Sequence, residues 1–133
     1  EKSLACKENN IVVSCVADGK GLEFLHPIDL YTIFGNAMDN AIECVKNLQK
    51  QEKRQIDVLI HRQHQFLIVQ IMNPVEEELE FEDNLPVTTK HDKAYHGYGL
   101  RSIKNSVKKY NGVFQVKIKD GCFCLKILFP IKE

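Results

Sequence analysis

Asparagines recur at the spacing of helical turns in one stretch of the chain, FGNAMDNAIECVKNL. Its apolar residues repeat every three or four positions, which predicts an amphipathic helix. Asparagine is a poor residue inside a helix, because its side chain competes for nearby backbone groups. At about 100° per residue, five polar side chains of this helix fall within about 60° of one another. These five residues, called the asparagine face below, are Asp29, Asn36, Asn40, Glu43 and Asn47.

The asparagine face has two interpretations. It can be the solvated side of an amphipathic helix. It can also bind a metal, because an amide oxygen ligates Mg²⁺ without adding negative charge beside phosphates. Mg²⁺ takes few protein ligands besides its waters and the phosphates of its substrate. Asn40, one helical turn from the carboxylate of Glu43, suits the second role, but this helix alone leaves both interpretations open.

A second candidate for ligand binding is the stretch HGYGLRSI. Gly97 and Gly99 allow a ligand to approach the backbone closely. The helix that is predicted to follow them presents free N–H groups at its start, which is a natural site for phosphate. Arg101 and Lys104 add positive charge nearby. Two glycines can also simply mark a turn, but their place between a long polar segment and a helix favours the phosphate site.

Composition excludes several classes of protein. The chain has 133 residues and is 44% hydrophobic, which is enough for one domain with a core. Its 18 Lys+Arg balance its 18 Asp+Glu, so we expect no nucleic-acid binding. No apolar run is long enough to span a bilayer. The five scattered cysteines suit reduced thiols, and Cys122 and Cys124 are predicted to be buried apolar filler on one face of a strand.

The order of predicted elements is strand, helix, two strands, long loop, helix and two strands. The first helix begins near Pro27 or Asp29, the first pair of strands turns near 63–65, and the last pair turns at 120–121. This order favours a two-layer α/β sandwich in which helices cover one face of a mixed β-sheet. The loop over 74–96 is unusually long for a small domain, so we expect it to be functional.

Together these stretches resemble the GHKL ATP-binding fold, which histidine kinases share with gyrase-type ATPases and MutL. NAMDNAIE resembles the kinase N box, with Asn40 at the Mg²⁺-ligating position. GYGL resembles the G2 box, and FCLKILFP resembles the closing strand of the fold. The stretch TTKHDKAYHGYGL is most similar to the peptide-pheromone, quorum-sensing receptor kinases of Gram-positive bacteria. The resemblance covers nearly the whole chain, so residues 1–133 are expected to form one domain with an ATP lid at about 74–96.

Two departures from the family pattern bear on the chemistry. The G1 box, D-x-G-x-G, is replaced by IMNPVEEE, so Asn73 stands at the position of the adenine-reading Asp and Pro74 replaces the glycine hinge. An Asn oxygen still accepts from the adenine amino group, without charge assistance. Gyrase-like ATPases place a general-base Glu where this chain has Asn36. Asn accepts no proton at neutral pH, so efficient ATP hydrolysis is not expected.

The resemblance implies an ATP-binding catalytic domain of a two-component sensor histidine kinase, with ATP and Mg²⁺ as cofactors. Asn40 is the expected Mg²⁺ ligand, and Lys90 is the cation expected to reach the phosphates. The other expected nucleotide contacts are Asn36 and Glu43 beside the metal, Asn73 at the adenine, Thr89 in the lid, and Gly97, Tyr98, Gly99 and Leu100 at the phosphates.

The expected partners also follow from the resemblance. The γ-phosphoryl group would go to a His on an upstream dimerisation domain and then to a response regulator. The fragment is expected to be monomeric, inactive alone in autophosphorylation and cytoplasmic, within a membrane-anchored homodimer. Two alternatives remain open: a nucleotide-binding regulatory module without phosphotransfer, and a serine kinase of the anti-sigma-factor type.

Overall fold

A mixed five-stranded β-sheet packs against two long helices in the computed structural model of the protein. The structure describes residues 6–46, 48–75, 80–82, 85–87 and 93–131. The sheet has the order β1-β2-β3-β7-β6, in which β1 is parallel to β2 and the other neighbours are antiparallel. Its strands are β1 (Val12–Ala17), β2 (Gln55–Gln63), β3 (Phe66–Pro74), β6 (Val113–Lys119) and β7 (Cys122–Pro130). The helices are α1 (Pro27–Val45) and α2 (Lys93–Lys108). The predicted α/β sandwich is therefore confirmed.

Alternation of apolar residues along the strands builds the core between the sheet and the helices. Every second residue of β2 and β7 is buried, as expected for strands with one covered face. The largest fully buried side chains include Phe123, Phe129, Ile33, Ile56 and Leu67. The strand pairs were predicted with turns near 63–65 and at 120–121, and both turns lie there.

Helix α1 begins where its sequence provides a cap. Pro27 occupies its first turn, and His26 Nδ1 accepts from the backbone N–H of Ile28 at 3.1 Å. The helix ends at Val45, whereas the stretch predicted as helical continues to Leu48.

Arg54 holds the segment that follows α1. Its Nε donates to the carbonyl of Leu48 at 2.9 Å and its Nη1 to that of Asn9 at 3.0 Å. The side chain thereby provides a donor for a carbonyl just after the helix and ties this segment to the start of the chain.

The polar face of α1 packs against α2, contrary to its interpretation as a solvated surface. The Asp29 carboxylate accepts from the Tyr110 hydroxyl at 2.6 Å and from Lys109 Nζ at 2.9 Å. The Tyr110 oxygen also accepts from the backbone N–H of His26 at 3.0 Å. Asp29 and Asn40 are each only 7% exposed. This face therefore joins the two helices; its last member, Asn47, lies outside the described residues.

The segment predicted as one long loop contains secondary structure. Two short antiparallel strands, β4 (Glu80–Glu82) and β5 (Leu85–Val87), pair within it. Helix α2 begins at Lys93, so the prediction that it follows the glycines is wrong. The segment between β3 and α2 is correspondingly shorter than predicted.

Two smaller observations complete the fold. Cys122 is exposed and Cys124 is half-buried on β7, so the prediction of buried filler is wrong for Cys122. Within the described part of the chain, no helix is long and apolar enough to cross a membrane.

The bonds to Asp29 predict how stability depends on pH. Hydrogen bonds from Tyr110, and then Lys109, hold the pKa of Asp29 below its usual value. A carboxyl whose pKa is lowered by folding stabilises the protein above its unfolded pKa of about 3.9 and loses that contribution as pH falls through the folded pKa. Asp29→Asn should therefore lower the urea midpoint at pH 7 and matter progressively less below about pH 4.

Urea unfolding of both proteins between pH 7 and pH 3 provides this measurement. Glu23→Gln, at an exposed position, is the control and should leave the midpoint near that of the wild type. A difference between wild type and Asp29→Asn that stays constant over this pH range would contradict the assigned role of the carboxylate.

Candidate functional site

Three side chains of α1 form a ridge across the centre of the molecule. Asn36, Asn40 and Cys44 are spaced four residues apart, so they lie on one face over about 12 Å of helix. We call this row the α1 ridge. One end contacts Gly99 of α2, and the other contacts Asn73 at the end of β3. The ridge thus connects the two segments in which the sequence predicted ligand contacts.

At the α2 end of the ridge, the helices meet without an intervening side chain. Asn36 Nδ2 donates to the carbonyl of Thr32 at 2.9 Å. A methyl group placed on Gly99 would lie 3.5 Å from Asn36 Oδ1, which is ordinary van der Waals contact. Gly99 therefore leaves open space beside Asn36, although the packing of the fold does not demand a glycine there.

In the middle of the ridge, Asn40 is 7% exposed. Its amide is not among the buried side-chain groups that lack a hydrogen-bond partner, which in the described part of the chain are Asn73 Oδ1 and His61 Nδ1. Glu43, beside it, is paired: its Oε1 lies 2.5 Å from Lys46 Nζ, which partly neutralises the carboxylate. The role of Asn40 as a metal ligand stays a prediction.

At the far end of the ridge, Asn73 is held by the sheet. It pairs with Phe123 in β7, and its side chain is almost fully buried at 2% exposure. Its Nδ2 donates to the carbonyl of Pro74 at 3.0 Å, and its amide lies close enough to Cys44 to affect the pKa of that thiol. Asn73 Oδ1 is buried and has no hydrogen-bond partner among the described residues. Ile71, two residues earlier and on the same face, is 1% exposed.

Cys44 is a neutral thiol at physiological pH. Burial raises its pKa to about 11, an effect that the hydrogen bond from Asn73 only partly offsets. The sulfur therefore acts as a weak acceptor, not as a reactive thiolate.

The glycine segment is less open than the sequence predicted. Because α2 begins at Lys93, Gly97 and Gly99 lie inside it. In an α-helix only the first four N–H groups are free, and later amides bond to the carbonyl four residues earlier. Leu100 is 1% exposed and anchors α2 in the core. The predicted lid residues Thr89 and Lys90 lie outside the described residues.

A groove between β1 and α1 has a volume of about 620 Å³. Its walls are apolar and include Leu30, Phe34, Met38 and Val58. Among the described residues, no charged side chain contributes to it. It therefore lacks the groups that would bind phosphate, whereas the polar α1 ridge faces elsewhere.

Comparison with known proteins gives the family of the chain. The family model described as "GHKL domain" matches residues 25–130, which contain both helices and four of the five strands of the main sheet. The chain therefore belongs to the GHKL domain family. No curated protein matches it.

Solved structures with a similar fold include domains of histidine kinases. The nucleotide-free catalytic domain of ThkA has a TM-score of 0.72 and 14% identity, over 96% of this chain and 84% of that one. AdeS from Acinetobacter baumannii has a TM-score of 0.66 and 12% identity, over 98% of this chain. The blue-light-activated kinase EL346 from Erythrobacter litoralis has a TM-score of 0.62 at 12% identity. The chain spans 59% of the AdeS chain and 57% of the EL346 chain.

The sequence predicted Asn36 and Asn40 as site residues, but it did not predict the place of Cys44 in the ridge or the contacts of Asp29. Cys44 was not singled out, although its spacing of four residues from Asn40 is visible in the sequence. The bonds of Asp29 to Tyr110 and Lys109 were also missed, because they join residues 80 or more positions apart. The predicted roles of the ten site residues stay predictions.

The substitution Gly99→Ala should lower nucleotide affinity without lowering the stability of the fold. In Gly99→Ala the new methyl group meets only Asn36 atoms at ordinary distances, and alanine favours a helix by up to about 1 kcal/mol. Stability should therefore be unchanged or slightly higher. If a nucleotide uses the space beside Asn36, its affinity should fall by about tenfold, or 1.4 kcal/mol.

Calorimetric titration with Mg²⁺–ATP and thermal unfolding provide the two measurements. Gly35→Ala is the matched control, because a methyl group there meets nothing within 4 Å. Unchanged affinity in Gly99→Ala would show that the ligand does not approach Gly99.

Proposed function

We propose that this chain is the ATP-binding catalytic domain of a sensor histidine kinase, which donates the γ-phosphoryl group of Mg²⁺–ATP to a His in another segment of the protein. The observation that carries the proposal is the buried, unpartnered Oδ1 of Asn73, at one end of a ridge whose middle residue, Asn40, is 7% exposed. An unsatisfied buried acceptor costs about 1–3 kcal/mol, so a ligand that donates to it binds favourably. The exocyclic amino group of adenine is such a donor.

The α1 ridge also suits a magnesium ion beside phosphates. Asn40 offers a neutral amide oxygen, and Mg²⁺ takes most of its other ligands from phosphates and water. Asn36 and Glu43 flank Asn40 by one turn or less and would support the ion through its waters. When bound, the ion would neutralise charge on the phosphates during transfer.

The phosphates would lie between the α1 ridge and the start of α2. Lys90 and Thr89 would reach them from the lid, assigned to residues 74–96. The amides of Gly97, Tyr98, Gly99 and Leu100 would donate to the phosphate oxygens. Since α2 begins at Lys93, these amides become available only when the first turn of α2 opens. Nucleotide binding and the shape of the lid would therefore be coupled.

Transfer is favoured over hydrolysis because the ridge offers no general base. Asn36 stands one turn before Asn40, and an amide accepts no proton at neutral pH. Phosphoryl transfer requires mainly positioning and charge neutralisation, which these residues would supply.

The acceptor is proposed to lie outside this chain. His26 caps α1 through Nδ1, His61 lies in β2 and His64 lies in the turn after β2. None of these three lies within a helix, where the acceptor of this kinase class is expected, whereas His96 lies within α2, the helix that carries the proposed phosphate contacts.

The whole protein would combine this domain with further segments. We place the domain in the cytoplasm of a membrane-anchored homodimer, with a response regulator as the next phosphate acceptor. The chain alone is expected to be monomeric. The quorum-sensing subgroup is supported by the stretch TTKHDKAYHGYGL only.

A second function is favoured by Pro74 and by the early start of α2. Pro74 replaces the glycine hinge, and the G2 glycines lie within a helix. Both features suit a regulatory module that binds nucleotide without transferring phosphate. A phosphotransfer assay on the protein with its upstream segments distinguishes the two functions, because only the kinase would label a histidine.

Removing the proposed metal ligand should weaken the Mg²⁺-dependent part of binding. We expect the wild-type chain to bind Mg²⁺–ATP with a dissociation constant of about 10–1000 μM. Asn40→Ala should raise this dissociation constant by about tenfold when Mg²⁺ is present. It should raise it much less in EDTA, because the lost interaction is with the ion.

Isothermal titration with and without Mg²⁺ tests this expectation. Asn105→Ala is the matched control, since Asn105 is an exposed Asn of α2. Equal Mg²⁺-dependent affinity in wild type and Asn40→Ala would exclude Asn40 from the metal site.

Incubation with radiolabelled ATP tests the proposed chemistry. The chain alone should neither label itself nor turn over ATP rapidly, because the acceptor is proposed to lie outside it and Asn36 cannot act as a general base. Label on one of its five histidines would contradict the upstream acceptor. Rapid turnover would instead indicate an ATPase.

A further inference from the structure

We propose that Cys122, Cys124 and Met72 form a binding site for a soft monovalent cation, Cu(I), on the face of the sheet opposite the two helices. Met72 precedes Asn73 in β3, and successive side chains of a strand point to opposite faces. The cation site is therefore separated by the sheet from the α1 ridge, and the proposal does not depend on the function proposed above.

Three sulfur atoms share this face of the sheet. Cys122 and Cys124 are two positions apart in β7, so they project from the same face about 6.6 Å apart. Phe123 and Leu125 alternate with them and are buried in the core, which places the cysteines on the outer side. Met72 is the direct partner of Cys124 in β3. In such a pair the Cβ atoms lie about 4.5–5.5 Å apart, so the thioether can reach the space beside both thiols.

The spacing of the two cysteines suits a shared cation better than a disulfide. A disulfide requires Cβ atoms about 3.5–4.5 Å apart, which is closer than two positions of a strand allow. Metal–sulfur bonds are about 2.3 Å long in zinc sites, so two sulfurs on one ion of this kind can lie up to about 4.6 Å apart. Rotation of the two short side chains towards each other meets this second requirement.

The chemistry of the ligands selects the cation. Thiolate and thioether sulfurs favour Cu(I) over harder ions. Structural zinc sites are almost always four-coordinate, and in the described part of the chain no group of three or more His, Cys, Asp or Glu could hold a metal. Cu(I), in contrast, forms stable complexes with only a few sulfur ligands.

The neighbouring strand provides the charge that such a complex requires. On binding, the two thiols lose their protons to solvent, and two thiolates with one Cu(I) carry a net charge of −1. Lys119 and Lys117 of β6 are the direct partners of Cys122 and Cys124. Their ammonium groups would balance this charge, which makes a monovalent cation on two thiolates compatible with the surface around it.

The cation also has a route to the site. Cys122 is exposed and Cys124 is half-buried. A cavity of about 240 Å³ lies beside them and is lined in part by Cys122, Met72 and Asp57. A ligand set with an accessible thiol at its edge can take the ion from solvent or from another thiol, and two less exposed sulfurs can then hold it.

Titration of the chain with Cu(I), without oxygen and against a coloured Cu(I) chelator, measures affinity and stoichiometry. The wild-type chain should bind one Cu(I). Cys122→Ser and Cys124→Ser should each raise the dissociation constant at least about tenfold, and Met72→Leu about threefold because a thioether is the weaker ligand. Cys15→Ser is the matched control, since Cys15 is an exposed cysteine of β1, and it should leave the constant unchanged.

X-ray absorption at the copper edge identifies the bound atoms. The copper-loaded chain should show sulfur ligands only, and nitrogen or oxygen ligands would overturn the site. Thermal unfolding of the metal-free variants shows whether each is folded. If Cys124→Ser does not fold, Cys124→Ala removes the same ligand from the half-buried position without adding a hydroxyl group.

Four results of the titration would overturn the proposal. The first is the absence of Cu(I) binding by the wild-type chain. The second is an unchanged dissociation constant in a folded variant of Cys122, Cys124 or Met72. The third is one copper shared by two chains, detected as a dimer by size-exclusion chromatography. The fourth is tighter binding of Zn²⁺ than of Cu(I), which would contradict the class of cation.

Discussion

The polar face of α1 must be covered by the rest of the fold, and this constraint determines where the other elements lie. A helix with one apolar stripe packs on a sheet and leaves its polar side to solvent. In this protein part of the polar side is buried as well. Asp29 is bonded to residues that follow α2, and Asn36 lies against Gly99. Helix α1 is thereby held by the sheet and by α2 at once, and the α1 ridge lies where the three elements meet.

This constraint also sets apart the buried polar group at the end of the ridge. Buried amides and carboxylates are normally paired, and Asp29 follows that rule with two strong partners. Among the described residues, Asn73 Oδ1 departs from it, as does His61 Nδ1 in β2. An unpaired buried acceptor costs free energy, which a ligand that donates to Asn73 would recover.

The sequence predicted the sheet and the first helix well because short-range patterns determine them. Alternation in β2 and β7, the cap at Pro27 and the turn at 120–121 each depend on a few adjacent residues. The start of α2 was missed because glycines were taken as its boundary, although a helix tolerates them at about 1 kcal/mol each. Cys44 was missed for another reason: its neighbour Asn73 belongs to another element and lies 29 positions away in the sequence. Local patterns predict elements, but contacts between elements determine which of several polar residues face one site.

The two departures from the G1 box compensate each other in this structure. Pro74 has no N–H, but it ends β3, where a proline is tolerated, and Val75 resumes the pairing by donating to the carbonyl of Gly121 at 2.8 Å. The carbonyl of Pro74 then accepts from Asn73, a bond that an aspartate could not make. Asn73 in place of Asp is therefore compatible with Pro74 in place of Gly. The end of β3 keeps its backbone pairing, and the Asn73 amide keeps its oxygen unpaired. Because this oxygen is neutral, its bond to a base is weaker than that of a carboxylate.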